Sequence, residues 1–401
     1  MELGPILSAL RRSPTGAILV ALQIALALAI TVNACFITVD RLKFIHRDPG
    51  LDVDNTFTVS FAARGRDFDG ETAMREDLTI LRALPGVVAA TPINAVPLSG
   101  GGSGTAYYTE PGEKGTRGDV NYFEVDEQGV NSLGIEIVEG RNFDASVVKP
   151  SELYRSNFVS ELLITRSLAE DMFPGQSALG KTIYNALGEP AKVVGIIGLM
   201  HGSWTRWDKV GNVSLQPTIP SSDFARYLVR AKPGQRDELM KIAEQKLSAV
   251  ENGRIVTKVR SLEEYASRSY ADDRAMAIYM VVVIVLLVGV AALGVFGLAA
   301  FNVSTRTKQI GTRRAVGARR RDVVRYFLIE NWLVTTVGVV VGCLLALALG
   351  YWLSTQFELP RLPLWYMVGG VLALWVVGLG AAMIPARRAA LVSPAVATRT
   401  V

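Results

Sequence analysis

The most recognisable chemical pattern in this chain is Gly175-Gln-Ser-Ala-Leu-Gly-Lys-Thr182, which satisfies the phosphate-loop pattern G-x-x-x-x-G-K-[ST]. In that pattern the backbone amides surround the phosphates of a nucleotide, and the lysine neutralises part of their charge. A phosphate loop follows a strand and opens a long helix. Here a short helical segment (166–172) precedes the pattern and a β-rich segment (191–197) follows it. We therefore predict a turn with Gly180 at a backbone bend, and no nucleotide-binding residue from Gly175 to Thr182.

Other side chains that could do chemistry are few and scattered. The two histidines, His46 and His201, have no cysteine or carboxylate at ligand spacing, so the sequence predicts no metal site. No serine or cysteine lies in a nucleophile elbow, and the acids are distributed as on a solvated surface. The two cysteines, Cys35 and Cys343, lie in apolar stretches, where a packing role is expected. We predict a protein that is not an enzyme, with no catalytic residue and no cofactor.

Four apolar stretches without Asp, Glu, Lys or Arg stand out in the rest of the sequence. They are residues 13–39, 275–301, 331–357 and 362–386, each at least 25 residues long. A helix of that length measures roughly 37 Å, which exceeds the ~30 Å hydrocarbon core of a bilayer. The predicted fold class is an α-helical membrane protein of four transmembrane helices, with a large α/β extracytoplasmic domain (40–274) inserted between helices 1 and 2. Gly338 and Gly342 predict close helix packing.

Basic residues set the predicted orientation of the helices. Between Arg306 and Arg325 there are eight Lys or Arg residues and one acid, Asp322, which places this loop in the cytoplasm by the positive-inside rule. The predicted segments outside the membrane are a cytoplasmic N-terminus (1–12), a cytoplasmic loop (302–330), a short external loop (358–361) and a cytoplasmic C-terminus (387–401). The expected localisation is the inner membrane, with several passes and both termini in the cytoplasm.

The net charge of +5 hides a division that follows this topology. Of the 42 basic and 37 acidic residues, 28 and 33 lie in 40–274, which leaves 14 basic and 4 acidic residues elsewhere. Basic residues concentrated near the ends of membrane helices are typical of attraction to anionic headgroups. The charge pattern therefore favours membrane lipids as a partner and argues against nucleic acid.

The polar region between the first two apolar stretches has a mixed α and β pattern. Two strand-helix-strand patterns frame it: 55–61, 71–84 and 87–96 near its start, and 224–231, 237–250 and 255–259 near its end. Together they predict one split α/β layer, formed by 40–119 and 218–260. The segment 120–217 has strand candidates of its own and is predicted to be an inserted second subdomain. A charged, helix-prone stretch, 261–274, would join the domain to the second transmembrane helix.

The loop 302–330 is too long for a tight helical hairpin. Its helix-forming residues are interrupted by Gly311 and Gly317, which predicts a short amphipathic helix, a break and then the start of the third transmembrane helix. Apolar residues among the arginines favour a docking surface; they are Ile310, Ala315, Val316 and Val323. The alternative interpretation is a basic retention signal in contact with lipid.

Several runs of residues resemble one family. Gln309-Ile-Gly-Thr-Arg-Arg-Ala-Val-Gly-Ala-Arg-Arg-Arg-Asp-Val323 is similar to the signature of FtsX-like permeases. The segments 130–143, 163–175, 179–181 and 193–197 resemble, in order, parts of the MacB-type periplasmic domain. Ile384-Pro-Ala-Arg-Arg-Ala-Ala390, followed by Ser393 and Pro394, resembles the family's C-terminus. Over nearly its whole length the chain is similar to the MacB-like, FtsX-like permeases of mechanotransmission ABC transporters.

This resemblance implies a permease subunit that has no catalytic role. About a dozen residues precede the first apolar stretch, so the family's ATPase is expected on a separate cytoplasmic subunit, and two permease chains are expected to pair as a homodimer or heterodimer. The loop 302–330 would contain the coupling helix that docks on the ATPase. The residues assigned to coupling are Gln309, Ile310, Gly311, Arg313, Arg314, Ala315, Val316, Gly317, Ala318, Asp322 and Val323. In the family's terms 40–119 with 218–260 is porter-like, 120–217 is Sabre-like, and 261–274 is a stalk that carries motion outward.

A glycine-rich loop is the candidate contact for a further partner. The residues from Ser99 to Ser103 are all Gly or Ser, a composition that also favours a solvated, flexible loop. By analogy with MacB-type domains, the residues assigned to contact with a periplasmic adaptor are Leu98, Ser99, Gly100, Gly101, Gly102 and Ser103. The leading function is efflux from the periplasm through that adaptor and an outer-membrane channel. The alternatives are a lipoprotein-releasing permease, and an FtsX-like regulator of a cell-wall hydrolase that transports no substrate.

Overall fold

The computed structural model describes residues 14–64, 68–150, 158–220, 224–250, 253–357 and 361–393. The predicted N-terminus (1–12), most of the predicted external loop (358–361) and the last eight residues of the predicted C-terminus lie outside these residues. The chain divides into two compact units. We call them the membrane unit, which holds the residues up to His46 and from Asp272 onward, and the inserted domain, Arg47–Ala271.

Helices and strands occupy most of the described residues. The helices are α1 (Pro14–Ile45), α2 (Gly70–Ala83), α3 (Gly129–Leu133), α4 (Arg166–Met172), α5 (Arg236–Ser248), α6 (Leu262–Ser269), α7 (Ala271–Thr305), α8 (Thr307–Ala315), α9 (Arg320–Phe357) and α10 (Leu364–Ala390). The strands are β1 (Thr56–Ala63), β2 (Val87–Ile93), β3 (Ser103–Glu110), β4 (Lys114–Val125), β5 (Ile137–Gly140), β6 (Lys149–Pro150), β7 (Glu161–Thr165), β8 (Thr182–Tyr184), β9 (Pro190–Ile197), β10 (Val213–Ile219), β11 (Phe224–Ala231) and β12 (Arg254–Ser261).

Four helices of the membrane unit, α1, α7, α9 and α10, are long and apolar enough to cross a bilayer. They extend beyond the predicted stretches, because a helix satisfies its own backbone hydrogen bonds and continues into polar sequence at the membrane surface. The two polar side chains in the middle of α1 bond to neighbouring helices. Gln23 donates to the Val290 carbonyl (2.6 Å), and Asn33 donates to the Ala346 carbonyl (3.1 Å). These bonds remove the penalty of burying an amide in hydrocarbon.

The first layer of the inserted domain is a four-stranded sheet in the order β12-β1-β11-β2, with antiparallel neighbours throughout. The unit β1-α2-β2 encloses β11, and the unit β11-α5-β12 encloses β1, so two split strand-helix-strand units interlock. The apolar faces of α2 and α5 cover one side of the sheet. Asp69 starts α2 by accepting a hydrogen bond from the Thr72 amide (3.1 Å). The four strands of this sheet come from the first and last parts of the inserted domain, 56–93 and 224–261.

The second layer is an eight-stranded sheet that closes on itself. Its order is β4-β3-β8-β9-β7-β10-β6, with β5 paired to β9, and β10 also pairs with β4. The hydrogen-bonded path from β4 through β10 therefore returns to its first strand. Its buried side chains belong to two clusters, one that includes Tyr107 and another in which Phe123 and Leu215 pack with Ile93 and Leu228 of the first sheet. Burial raises the pKa of Tyr107 to about 12, and its hydroxyl contacts Ser214 at 2.9 Å.

The structure differs from the predicted boundary of the second subdomain. The sheet begins at Ser103, so residues 103–119, predicted to belong with the first layer, form β3 and the start of β4 in the second. The sequence hides this hairpin because Gly112 and Gly115, both with positive φ, interrupt the alternation of apolar residues. In the predicted stalk (261–274), α6 and α7 are separate helices with Tyr270 between them.

Candidate functional site

The short helix α8 lies between the two long helices α7 and α9, where the sequence predicts a helix followed by a break. It spans nine residues, ends at Ala315 and has Val316 as its C-cap. Gly317 follows with a φ of +105°, a conformation that favours glycine. Asp322 then starts α9 by accepting a hydrogen bond from the Arg319 amide (3.0 Å). The chain therefore reverses direction through a turn that is defined by its own backbone bonds.

One face of α8 is buried inside the membrane unit. Ile310 is 5% exposed, Gly311 is buried, and Val323 on α9 is 7% exposed. Together with Phe327 and three alanines at the end of α10, Ile310 and Val323 form an apolar cluster. The sequence assigned Ile310, Gly311 and Val323 to ATPase coupling, and all three are buried in the structure. The part of the assigned set that a partner could reach is therefore limited to the exposed residues.

The other face of α8 is open. Five of the assigned coupling residues have exposed side chains, and Gly317 is exposed as well; the five are Gln309, Arg313, Ala315, Val316 and Asp322. Val316 is 85% exposed, which is unusual for a β-branched apolar residue in an ordered turn. Ala318 is half-buried and lines a cavity of about 100 Å³ beneath the turn. The outer face thus combines an apolar protrusion with basic side chains, which is suited to binding a protein and has no catalytic group.

Ionic and polar contacts anchor α8 to the ends of the long helices. Arg306, just before α8, donates to both carboxylate oxygens of Glu330 on α9 (3.0 and 3.1 Å), and Glu330 is 1% exposed. Arg314 donates to the Val392 carbonyl beyond α10. The guanidinium of Arg313 lies 5.2 Å from the Tyr326 ring centre. Sequence analysis missed Glu330 and Tyr326, although an acid at the edge of an apolar stretch is a signal that could have identified Glu330.

Gly338 and Gly342 of α9 face α1 of the same chain. A β-carbon added to Gly338 would lie 2.6 Å from the Ala21 carbonyl oxygen, and one added to Gly342 would lie 2.9 Å from that of Ala25. Only glycine allows the two backbones to approach this closely. The sequence left open whether these glycines pack within one chain or between two, and the structure places them within the chain.

The phosphate-loop pattern lies in a turn of the inserted domain. It follows α4 and leads into the short strand β8, so the strand before it and the long helix after it are both missing. The amides of Gly175, Leu179 and Gly180 bond to Glu170, Ser177 and Val193 respectively, which leaves them unable to bind phosphate. Lys181 donates to Gln176 (2.6 Å) and lies over the Phe173 ring. Gly180, with a φ of +78°, occupies the bend predicted from the sequence.

The glycine-rich loop is held by the chain segment beside it. The Leu98 amide donates to the Gly202 carbonyl (3.1 Å), and the Gly100 amide donates to the Ser203 carbonyl (2.8 Å). A β-carbon on Gly102 would lie 2.6 Å from the side chain of Ser203. Close packing therefore requires glycine at this position. Leu98 is 1% exposed. Of the residues assigned to an adaptor contact, Leu98 could therefore contribute only through its backbone.

A polar cavity of about 830 Å³ adjoins this loop. Ser99, Gly101, Gly102 and Ser103 line it, together with Glu124, Arg226 and Lys258 among others. Burial raises the pKa of Glu124 to about 7. Arg226 donates to the Asn94 carbonyl (3.1 Å). Sequence analysis missed this cavity, because its walls come from strands that are distant in the chain.

Among the described residues, no three His, Cys, Asp or Glu side chains are close enough together to hold a metal ion. Cys35 and Cys343 are free thiols, both half-buried in apolar helices. His201 is buried, and its pKa falls to about 4 because burial and then Arg47 disfavour the charged ring. None of these groups is arranged with a second one to do acid-base or nucleophilic chemistry.

Two family models match the chain. The MacB-like periplasmic core domain matches residues 17–245, more than half of the chain, and the FtsX-like permease C-terminal domain matches residues 281–394. The second match contains α8 and the third and fourth long helices. The first begins in α1 and ends in α5.

Curated relatives carry the same two names. The macrolide export ATP-binding/permease protein MacB of Acinetobacter baylyi is 26% identical over 363 residues, which cover 86% of this chain and 51% of the relative. The chain thus spans about half the length of this relative, and 40% of MacB from Chromobacterium violaceum. The uncharacterised ABC transporter permease YknZ of Bacillus subtilis is 27% identical over 300 residues, covering 72% of this chain and 71% of YknZ.

Solved structures of such domains also match. The periplasmic region of MacB from Actinobacillus actinomycetemcomitans covers 56% of this chain and 97% of its own length, with 14% identity and a TM-score of 0.33. The extracellular domain of YknZ from Gram-positive bacteria covers 50% of this chain and 100% of its own length, with 15% identity and a TM-score of 0.31.

Proposed function

This chain belongs to the family of MacB-like, FtsX-like ABC transporter permeases, and on that premise we propose that it couples ATP hydrolysis in a separate ATPase subunit to movement of its periplasmic domain. The observation that supports the proposal most directly is the arrangement of α8. Its inner face is packed against α9 and α10, and its outer face presents Val316 at 85% exposure among basic side chains. A helix of this kind can bind a partner and move with the helices that hold it.

The anchoring contacts of α8 suggest how motion would spread. The Arg306–Glu330 pair joins the start of α8 to α9. At the end of α8, Arg314 donates a hydrogen bond to the carbonyl of Val392, which follows α10. On its other side α8 follows α7, a single helix of 35 residues, roughly 52 Å long. Packed helices shift as units rather than deforming continuously. A displacement of α8 by the ATPase would therefore be carried along α7 toward the stalk (261–274) and the periplasmic domain.

We propose that α8 faces the cytoplasm and that both termini lie on the same side. Eight basic residues between Arg306 and Arg325, and Arg387 with Arg388 at the end of α10, support this orientation through the positive-inside rule. Two permease chains, identical or different, would pair with two ATPases. The described ion pairs of the membrane unit, Arg41–Asp273 and Arg306–Glu330, lie outside the four charge-free stretches. No charged path therefore crosses the described part of the spans, and substrate need not pass between them.

For the task of the assembly we propose efflux from the periplasm, through an adaptor and an outer-membrane channel. The relatives named as macrolide exporters and the closed second sheet of the periplasmic domain support this choice. The exposed part of the glycine-rich loop, Ser99 to Ser103, is the proposed adaptor contact. Lipoprotein release and control of a cell-wall hydrolase would use the same coupling.

The test of coupling is the replacement of Val316 or Ala315 by Asp, with Ser304→Asp as the control. Ser304 is exposed at the end of α7, so the control makes the same charge change outside the proposed surface. Because a carboxylate would be buried without a partner in the ATPase groove, we expect at least tenfold less ATPase to co-purify with the Val316 variant. The control should recover as much ATPase as the wild type. Unchanged recovery with Val316→Asp would refute the assignment of α8.

The task itself is tested in cells that lack the gene. We expect macrolide accumulation to rise, and the wild-type gene, but not the Val316→Asp gene, to reverse it. Lipoproteins retained in the inner membrane, with unchanged macrolide accumulation, would indicate lipoprotein release instead. A defect in cell separation alone would indicate control of a hydrolase.

A further inference from the structure

A groove in the membrane unit has an apolar floor and a rim of arginines, and the coupling mechanism does not use it. The groove has a volume of about 730 Å³ and lies between the first turns of α9 and the last turns of α10. Its floor is formed by Val324, Leu328, Ile329, Trp332, Leu379 and Met383. Its rim is formed by Arg320, Arg321, Arg325 and Arg387. Pockets of this size accommodate small organic ligands.

The arginines of α9 are in a position that isolated helices disfavour. Arg320 and Arg321 lie in the first turn, where the helix dipole places partial positive charge, and Asp322 is the only acid in that turn. An anion at the rim would remove this conflict, since the same helix end attracts phosphate. Charge complementarity therefore points to a negatively charged occupant.

The floor of the groove extends from the arginines into the apolar stretches of α9 and α10. Trp332 is 40% exposed, and its ring centre is 6.2 Å from that of Trp375 on α10. Tryptophan is enriched where headgroups meet the acyl chains. A molecule in the groove would consequently have its charged part among the arginines and its apolar part along Leu328 and Met383, inside the hydrocarbon. A soluble anion would leave this floor uncovered.

We propose that the groove binds an anionic phospholipid, with its phosphate among the arginines of α9 and α10 and one acyl chain along the apolar floor. Basic pockets between transmembrane helices on the cytoplasmic side are suited to such headgroups. The bound lipid would hold the start of α9 against the end of α10, the two helices that also hold α8. The lipid site is thus distinct from the outer face of α8.

The experiment is native mass spectrometry of the full-length purified chain, mixed with either phosphatidylglycerol or phosphatidylcholine. The test variant is Arg320→Gln with Arg387→Gln. The matched control is Arg319→Gln with Arg388→Gln, which removes the same charge one residue away on each helix, outside the groove lining. We expect one phosphatidylglycerol to be retained in preference to phosphatidylcholine, and retention to fall about 25-fold in the test variant, at about fivefold for each arginine. The control should stay within about threefold of the wild type.

Several results would overturn the proposal. Equal losses in the two variants would mean general attraction between arginines and the bilayer. Equal retention of both lipids by the wild type would remove the headgroup specificity. Retention of the free headgroup glycerophosphoglycerol as strongly as the lipid would show that the apolar floor is not used. If the test variant alone loses a bound second copy of the chain or a bound ATPase subunit, the groove binds a protein partner instead of a lipid.

Discussion

In the inserted domain, Asp77 of α2 and Arg254 of β12 form an ion pair whose side chains are 0% and 1% exposed, whereas the Arg306–Glu330 pair of the membrane unit joins the residue after α7 to α9, next to the apolar stretch 331–357. Tyr227 donates to Asp77 (2.7 Å), and Arg254 also donates to the Leu247 carbonyl (2.7 Å). The first pair thus joins two helices, α2 and α5, to two strands, β11 and β12, in the middle of a core. The Arg306–Glu330 pair joins neighbouring helices at the edge of the membrane unit's core.

The two units are expected to differ in how well they tolerate movement. A buried charge network is stable only in one geometry, because a shift leaves charges without partners at low dielectric. In the membrane unit, the contact of α1 with α9 depends on the close approach of the backbones at Gly338 and Gly342, and the hydrogen bond from Asn33 to the Ala346 carbonyl joins the same two helices. We infer that the inserted domain moves as a rigid body, while helices of the membrane unit can slide. Four substitutions test this difference between the two units.

The largest effect is expected from Asp77→Ala. Removing the carboxylate leaves Arg254 charged and buried without its partner, which should lower the free energy of unfolding of the inserted domain by about 3–5 kcal/mol. Urea unfolding of the purified chain, monitored by pulse proteolysis of this domain, measures the change. As a control, Glu71→Ala removes a partner of an exposed pair on the same helix and should change it by less than about 0.5 kcal/mol. Similar values for the two variants would contradict a structural role for the network.

A smaller effect is expected from Gly338→Ala in the membrane unit. The added methyl group would lie 2.6 Å from the Ala21 carbonyl oxygen, so α1 and α9 must separate, at a cost of about 1–3 kcal/mol. Thermal unfolding in detergent would show the loss. Gly297→Ala on α7 is the control, because no atom lies within 4 Å of its added carbon. Since alanine favours helix, this control should be neutral or slightly stabilising; destabilisation in both variants would argue against tight packing at Gly338.

The third prediction concerns pH and the polar cavity of the inserted domain. Burial raises the pKa of Glu124 from its ordinary value of 4.5 to about 7, so the folded domain holds this proton more tightly than the unfolded chain does. The contribution of Glu124 to stability is therefore full below about pH 4.5 and is lost as pH rises through about 7. Glu124→Gln should match the wild type near pH 4.5 and be more stable by about 1–2 kcal/mol at pH 8, after allowance for partial exposure.

Pulse proteolysis of both proteins at the two pH values measures this difference. Arg226 and Lys258 line the same cavity in the wild type and in the variant, so their contributions cancel in the difference between the two proteins. His201, with a pKa of about 4, affects wild type and variant equally. A difference in stability that does not change with pH would show that Glu124 is solvated in the folded domain.

The smallest effect is expected from Lys181→Ala. Its ammonium bonds to Gln176 at the surface of the second sheet, and the amides around it are already paired within the domain. We expect nucleotide binding by the complex with its ATPase to be unchanged, and unfolding of the domain to change by less than about 0.5 kcal/mol. Equilibrium binding of labelled ATP measures the first quantity. Loss of binding with the complex intact would mean that the phosphate-loop pattern functions as one.

The sequence predicts the helices and strands of this protein better than it predicts which strands pair with each other. Charge-free stretches identify the four long helices, since a bilayer requires continuous apolar sequence. The alternating patterns identify β1, β2, β11 and β12, which are seven or eight residues long. The hairpin of β3 and β4 escapes prediction because glycines obscure its pattern, and the pairing of β10 with β4 escapes because strands distant in sequence leave no periodic signal.

The candidate site shows the same division. Residue type and spacing alone predict a short helix after the second span, its break at Gly317 and its basic character, because these depend on local propensity and charge. Only the tertiary structure decides that Ile310 and Val323 face inward while Val316 faces outward, and that Glu330 receives Arg306. Which side of a short helix is buried depends on the surfaces packed against it. Those surfaces come from α9 and α10, whose positions no local pattern in α8 records.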